Sequence, residues 1–285
     1  STESIEGQQM ITRQQKLQFE TFGYLLFKQL FSKHEIATIT READDLFAEE
    51  RQGETLPKTG QNCSPFVEKR KSLTKIVGDD RIYQPTKNIL GPGFIWAGSE
   101  GHITTHSEHL WHPDRPGRRD RLDNTEELSY TRLKINIYLD PVTKMNGCLH
   151  VIPSSHKMPL HGEIEPDSRH QIGPTVEPFG LPGSEMPSVA LESQPGDVIL
   201  FNQSIWHAIF NGQPGRRYIA LKFATKPVTN NHLASLRYYG GNMFSPLPSW
   251  LQNPSDRIRK MVETLPDLAN KKIPDFVPFR EEKLH

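Results

Sequence analysis

Residues 133–139 constrain the fold of this chain more than any other stretch. Apolar Leu133, Ile135, Ile137 and Leu139 alternate with Lys134, Asn136 and Tyr138. Side chains of an extended strand point to opposite faces in turn, so the apolar groups share one face and the polar groups the other. A helix does not sort residues with a period of two. The stretch is a half-buried strand, or one whose polar face lines a cavity.

Further runs carry the same signature. Residues 24–27, 94–96, 148–153, 198–201 and 218–223 are short and apolar, bounded by turn residues such as Pro195-Gly196-Asp197 and Asn146-Gly147. The 23 prolines and 20 glycines of the 285 residues are too many for a helical bundle and suit short strands joined by turns.

Helices are expected at the two ends. Thr12 and Gln15 form a capping box with Ile11 placed as a staple, predicting a helix that runs to Phe22 and stops at Gly23. Ser32 and Glu35 form a second box, and Ile36, Ile39, Ala43, Leu46 and Phe47 recur at helical spacing over residues 33–50. Residues 51–65 read as loop, and 66–90 as helical or mixed. Asn253 at a cap and Pro254 at the first helical position predict a last helix to about residue 265.

The order is helices, then strands, then a helix. It predicts a mostly β fold, a cupin-like jelly roll (double-stranded β-helix) with helices covering one face. One domain is expected over 1–285: 1–10 disordered, 11–90 helical support, 91–225 the jelly-roll core, 226–285 a C-terminal helix and tail.

Charge narrows the function classes. Lys plus Arg and Asp plus Glu both number 34, so no basic excess points to nucleic acid. No apolar run is long enough for a membrane helix, and residues 1–10 lack the apolar region of a signal peptide. Cys63 and Cys148 are the only cysteines, which suits a reducing, cytoplasmic setting and two small buried hydrophobes. Nothing in the chain sets an oligomeric state.

The chemistry gathers around His112-Pro113-Asp114. Residues two apart on a strand share a face, and Pro113 biases His112 toward extended geometry, so the imidazole and carboxylate can address one metal. A third donor must come from a distant strand, and His207 is the best placed. Two histidines and one carboxylate, leaving three open positions, suit non-haem Fe(II). A keto-diacid can fill two of those positions and O2 the third. Its far carboxylate calls for a planar guanidinium, which Arg216 or Arg217 can supply. His102, His106 and His109 follow no ligand spacing and are expected on the surface or in loops. The run from Arg115 to Arg121 is a basic loop that suits an anionic group on a small-molecule substrate.

These features together resemble the phytanoyl-CoA dioxygenase family of Fe(II)/2-oxoglutarate oxygenases. The resemblance rests on the run from Phe22 to Leu26, the Trp111-His112-Pro113-Asp114 motif, the stretch from Asn146 to His156, Pro195-Gly196-Asp197, His207 and the arginine strand. The Gly-x-Leu-x-x-x-Pro-x-Ser-His pattern within it is more specific than His-x-Asp alone. It implies that His112, Asp114 and His207 bind iron, that Arg216 (with Arg217 as the alternative) anchors 2-oxoglutarate, and that Asn136 and Lys134 line the 2-oxoglutarate pocket. It also implies hydroxylation of a C–H bond, with O2 consumed and succinate and CO2 released. Related halogenases carry a small residue where Asp114 stands, so the acid argues against halogenation. Two other readings of the same residues are a cupin-like isomerase or hydrolase without a keto acid, and a non-catalytic binding protein on this scaffold.

Overall fold

A computed structural model describes residues 11–114, 128–164, 178–239 and 241–272. The expected disorder of residues 1–10, the basic loop at 115–121 and the end of the tail lie outside the described residues.

The first helix, α1 (Arg13–Phe22), carries the predicted capping box at Thr12 and ends at Gly23, whose φ of 88° needs a residue without a Cβ. Strand β1 (Tyr24–Phe27) follows, then α2 (Lys33–Arg51), capped reciprocally by Ser32 and Glu35. The expected loop at 51–65 contains a short edge strand, β2 (Gln61–Cys63). It was hidden because three residues are too few to show a period. Residues 66–90 resolve into α3 (Lys71–Gly78) and α4 (Asp80–Leu90).

Eight more strands follow: β3 (Ile95–Thr104), β4 (His109–His112), β5 (Arg132–Tyr138), β6 (Leu149–Val151), β7 (Val189–Leu191), β8 (Val198–Asn202), β9 (His207–Ile209) and β10 (Arg216–Ala224). They form two antiparallel sheets, ordered β1-β8-β5-β10-β3-β2 and β4-β9-β6-β7. Most neighbours in each sheet are far apart in sequence, as the winding of a jelly roll requires.

Each sheet face has its own role. Leu133, Ile135 and Ile137 of β5 are fully buried under the helices, in one cluster with Leu46, Phe47, Val77, Ile82, Ile219 and Leu221. Each such side chain contributes about 1.5–3 kcal/mol relative to exposure. The opposite face of the large sheet looks toward the small one. There Tyr138, Ile199 and Phe201 pack with Leu149, Val151 and Ile209. The alternation at 133–139 thus separates the helix-facing core from the interior of the roll.

The C-terminal region departs from expectation. It holds several helices, at Asn230–Tyr239, Pro248–Leu251, Asp256–Val262 and Leu265–Asn270. Asn253 does not cap a helix that starts with Pro254: its Oδ1 accepts from Ser255 N, and the helix begins at Asp256. The side chain closes a local turn in place of a cap. Trp250 closes the region onto the core, with its ring 4.9 Å from that of Trp96.

Candidate metal centre

β4 and β9 pair in the small sheet, with His112 directly opposite His207. The ladder ends there, and Asp114 follows with its N–H on the Gln203 carbonyl at 2.7 Å. Asp114 Oδ1 lies 3.6 Å from His207 Nε2 and 3.8 Å from His112 Nε2. Donors bound to one divalent ion at about 2.0–2.2 Å stand at most about 4.4 Å apart, so these spacings suit a shared ion. Among the described residues, His112, Asp114 and His207 form the one such cluster of three donors.

Both imidazoles are oriented by the backbone. His112 Nδ1 contacts the Leu110 carbonyl at 2.6 Å, and His207 Nδ1 the Ile205 carbonyl at 2.9 Å. Each Nδ1 therefore carries the proton, and each Nε2 presents a lone pair to the centre. Burial, with His207 and His109 nearby, holds the His112 pKa well below its usual value, so the ring stays neutral. Burial pushes the Asp114 carboxyl upward, but the charge of Lys134 overcomes it and keeps the group ionised. Two imidazole Nε2 atoms and a carboxylate are a donor set that suits a divalent first-row metal.

Trp111 and Trp206, each preceding a donor, point away from it as strand parity dictates. They pack with Ile152, Ile164 and Met186, and Trp111 Nε1 donates to the Gly183 carbonyl at 2.6 Å.

The adjacent arginines on β10 have opposite fates. Arg217 faces outward and is fully engaged, with Nη2 on Asp140 and Nη1 on Asp44, each at 2.6 Å. Arg216 faces the interior, 6% exposed, with Nη1 donating to the Gly147 carbonyl at 2.5 Å. Its Nε has no partner among the described residues, nor do Asn136 Oδ1 and Tyr138 Oη. Such orphaned buried groups on one interior face are suited to hold a polar guest. Lys134 shares that face, but its ammonium lies 2.7 Å from Asp114 Oδ2.

Several polar residues of this interior escaped the sequence reading. Glu100 and His102 on β3, and Tyr218 and Lys222 on β10, point into the roll beside the centre. Glu100 pairs with Lys222 and, at 3.1 Å, with His102, whose ring stacks on Tyr218 at 4.5 Å. His102 is thus not a surface histidine: β3 runs on to Thr104 and carries it inside. The signal was present as alternation, since Arg216, Tyr218 and Lys222 interleave with Ile219, Leu221 and Phe223. Cys63 and Cys148 are free and buried, as expected, and burial pushes the Cys148 thiol up to about 12.

A jelly roll with two histidines and a carboxylate converging between its sheets defines a class of metal-binding β-proteins. Residues 19–211, more than half of the chain, match the family model for phytanoyl-CoA dioxygenase (PhyH), and the chain belongs to that family. The match includes all three candidate ligands and ends before Arg216. An ectoine dioxygenase from Sphingopyxis alaskensis is 26% identical over 227 residues, covering 69% of this chain and 70% of its own. HygX from Streptomyces hygroscopicus, solved with nickel and 2-oxoglutarate, superposes with a TM-score of 0.60 at 17% identity, covering 77% of this chain and 89% of that one. The carbocyclase SnoK from nogalamycin biosynthesis superposes with a TM-score of 0.57 at 17% identity, covering 76% and 85%. Among the described residues no helix is long and apolar enough to cross a membrane.

Proposed function

We propose that the chain works as one Fe(II)- and 2-oxoglutarate-dependent dioxygenase domain that hydroxylates a C–H bond of a small organic metabolite. The observation that carries this reading is the convergence of His112, Asp114 and His207 in a roll whose interior also holds the buried Arg216 guanidinium with an unpaired Nε. Iron held by the triad, with the keto acid and O2, supplies the oxidising chemistry, so that RH, O2 and 2-oxoglutarate become ROH, succinate and CO2. The protein's own part is orientation. Leu110 and Ile205 carbonyls fix the two imidazoles. Arg216 offers a fork to the far carboxylate of the diacid, and Asn136 lies on the same interior face. Phe201 and Tyr138 keep the interior dry, which strengthens each charge contact.

Relatives of similar fold support the cofactor set: HygX was solved with 2-oxoglutarate. SnoK, a carbocyclase, shows that this scaffold serves more than one oxidative outcome. Asp114 fills the acid position, which favours hydroxylation, or another oxidative outcome such as demethylation or desaturation, over halogenation.

Anaerobic addition of Fe(II) and 2-oxoglutarate is expected to produce a visible charge-transfer band, and admission of O2 to release succinate. Asp114→Ala should abolish both. Full succinate release by Asp114→Ala would sink the assignment, and absence of the band in the native protein would favour a binding protein without turnover.

A further inference from the structure

Lys134 is the least expected residue at the centre. It stands in the middle of the large sheet, in register with Lys222 on β10 and Phe201 on β8. Asp114 follows β4 of the other sheet, two residues beyond its last paired residue. Their contact at 2.7 Å ties the two sheets together at the metal centre, with the side chains only 12% and 17% exposed.

The contact divides the carboxylate. Oδ2 accepts from the lysine, while Oδ1 faces both Nε2 atoms at 3.6 and 3.8 Å. Lys134 is itself held. Glu100 attracts it from β3 and is paired on its other side with Lys222. The four charges alternate, Lys222, Glu100, Lys134, Asp114, and the Phe201 ring lies 5.9 Å from the ammonium. Charges are costly inside a β-roll unless paired, so an alternating row ending on a metal-facing carboxylate is a built arrangement.

We propose that Lys134 is a positioning residue: it holds Asp114 as a one-oxygen ligand, aimed at the two imidazoles before any metal arrives. This rests on reading the triad as a metal site. A carboxylate can bind through one oxygen or two. If both bound, the triad would occupy four of six positions. With Oδ2 kept by the lysine it occupies three, the number that a bidentate co-substrate and O2 together need. Lys134 thereby decides how many positions stay open, and its amine serves the protein's own carboxylate, not the keto acid.

The test uses Mn(II) alone, without keto acid or substrate. Free Mn(II) is counted by its electron paramagnetic resonance signal, and water bound to protein-held Mn(II) by proton relaxivity. Removal of an outer-shell partner costs on the order of 10- to 100-fold in metal affinity, and that loss is expected for Lys134→Met. The freed Oδ2 should then displace one of three bound waters, lowering relaxivity by about a third. Lys134→Arg, which keeps a cationic donor, should restore both readings to near native. If Lys134→Met does not fold, Lys134→Gln, too short to reach Oδ2, is expected to show the same two changes. Unchanged or tighter Mn(II) binding overturns the proposal. So does weaker binding with three waters retained, which would mark a merely structural contact. Failure of the native protein to bind Mn(II) would instead remove the metal-centre reading on which the proposal stands.

Discussion

Gly147→Ala tests the anchor without touching it. Gly147 has a φ of +94°, and its carbonyl accepts from Arg216 Nη1 at 2.5 Å. A Cβ added there would lie 1.8 Å from Arg216 Nη1 and 2.7 Å from Gly212 Cα, so both backbone and guanidinium must move. The left-handed conformation costs an alanine about 1–2 kcal/mol. Overpacking adds about 1–3 kcal/mol. Gly53 provides the control, because its φ is +86° and a Cβ would meet nothing within 4 Å. At roughly 2 °C per kcal/mol for a chain of this size, Gly53→Ala should lower Tm by about 2–4 °C and Gly147→Ala by about 4–10 °C. Displacing the guanidinium from a charged hydrogen bond worth about 1.5–3 kcal/mol should weaken 2-oxoglutarate binding about 10- to 100-fold. Isothermal titration with the metal-loaded protein reads the affinity, and thermal denaturation reads the stability. If Gly147→Ala binds 2-oxoglutarate as tightly as the native chain, Arg216 in this position is not the anchor.

Arg216→Ala and Arg217→Ala should separate cleanly. The first is expected to raise the KM for 2-oxoglutarate more than 10-fold. The second is expected to leave that KM unchanged while costing about 1–2 kcal/mol of stability through the lost Asp44 and Asp140 contacts. Equal effects on KM would refute the division, and turnover intact in both variants would favour an enzyme without a keto acid. His156 gives a pH dependence: burial, with Lys157 nearby, holds its pKa at about 4, against 6.5 for a free imidazole. The unfolded chain then takes up a proton that the folded chain refuses, so stability is full above pH 6.5, falls as pH drops toward 4, and is flat below. From pH 8 to 5 the loss should be about 2 kcal/mol, read as a fall in the urea midpoint. An equal fall in His156→Gln would show that another group is responsible.

Much of the site was legible because strands obey parity. The alternation at 133–139 sorts β5 into two faces, and the spacing of His112 and Asp114 allows both to address one centre even though β4 ends at His112. Each follows from local backbone geometry, which neighbouring residues dictate. Asp197 likewise serves its own turn, accepting from Gln29 N at 2.7 Å and Gln194 N at 2.9 Å. What parity could not supply was the partner across the roll. Lys134 and Asp114 are 20 residues apart, one within the large sheet and the other just past the end of β4 in the small one. Arg216 and Arg217 are chemically identical neighbours, and only the acids that meet Arg217 from α2 and from the end of β5 separate them.

By itself, then, the sequence determined most strands, the two N-terminal helix caps, the alternation that makes an interior and an exterior, and three candidate donors. Those depend on contacts within a few residues. The tertiary structure decided which polar groups share the interior, which arginine remains open to a guest, and which oxygen of Asp114 faces the histidines. Such choices depend on how two sheets stack, and register along one strand carries no information about the side chains that another sheet presents to it.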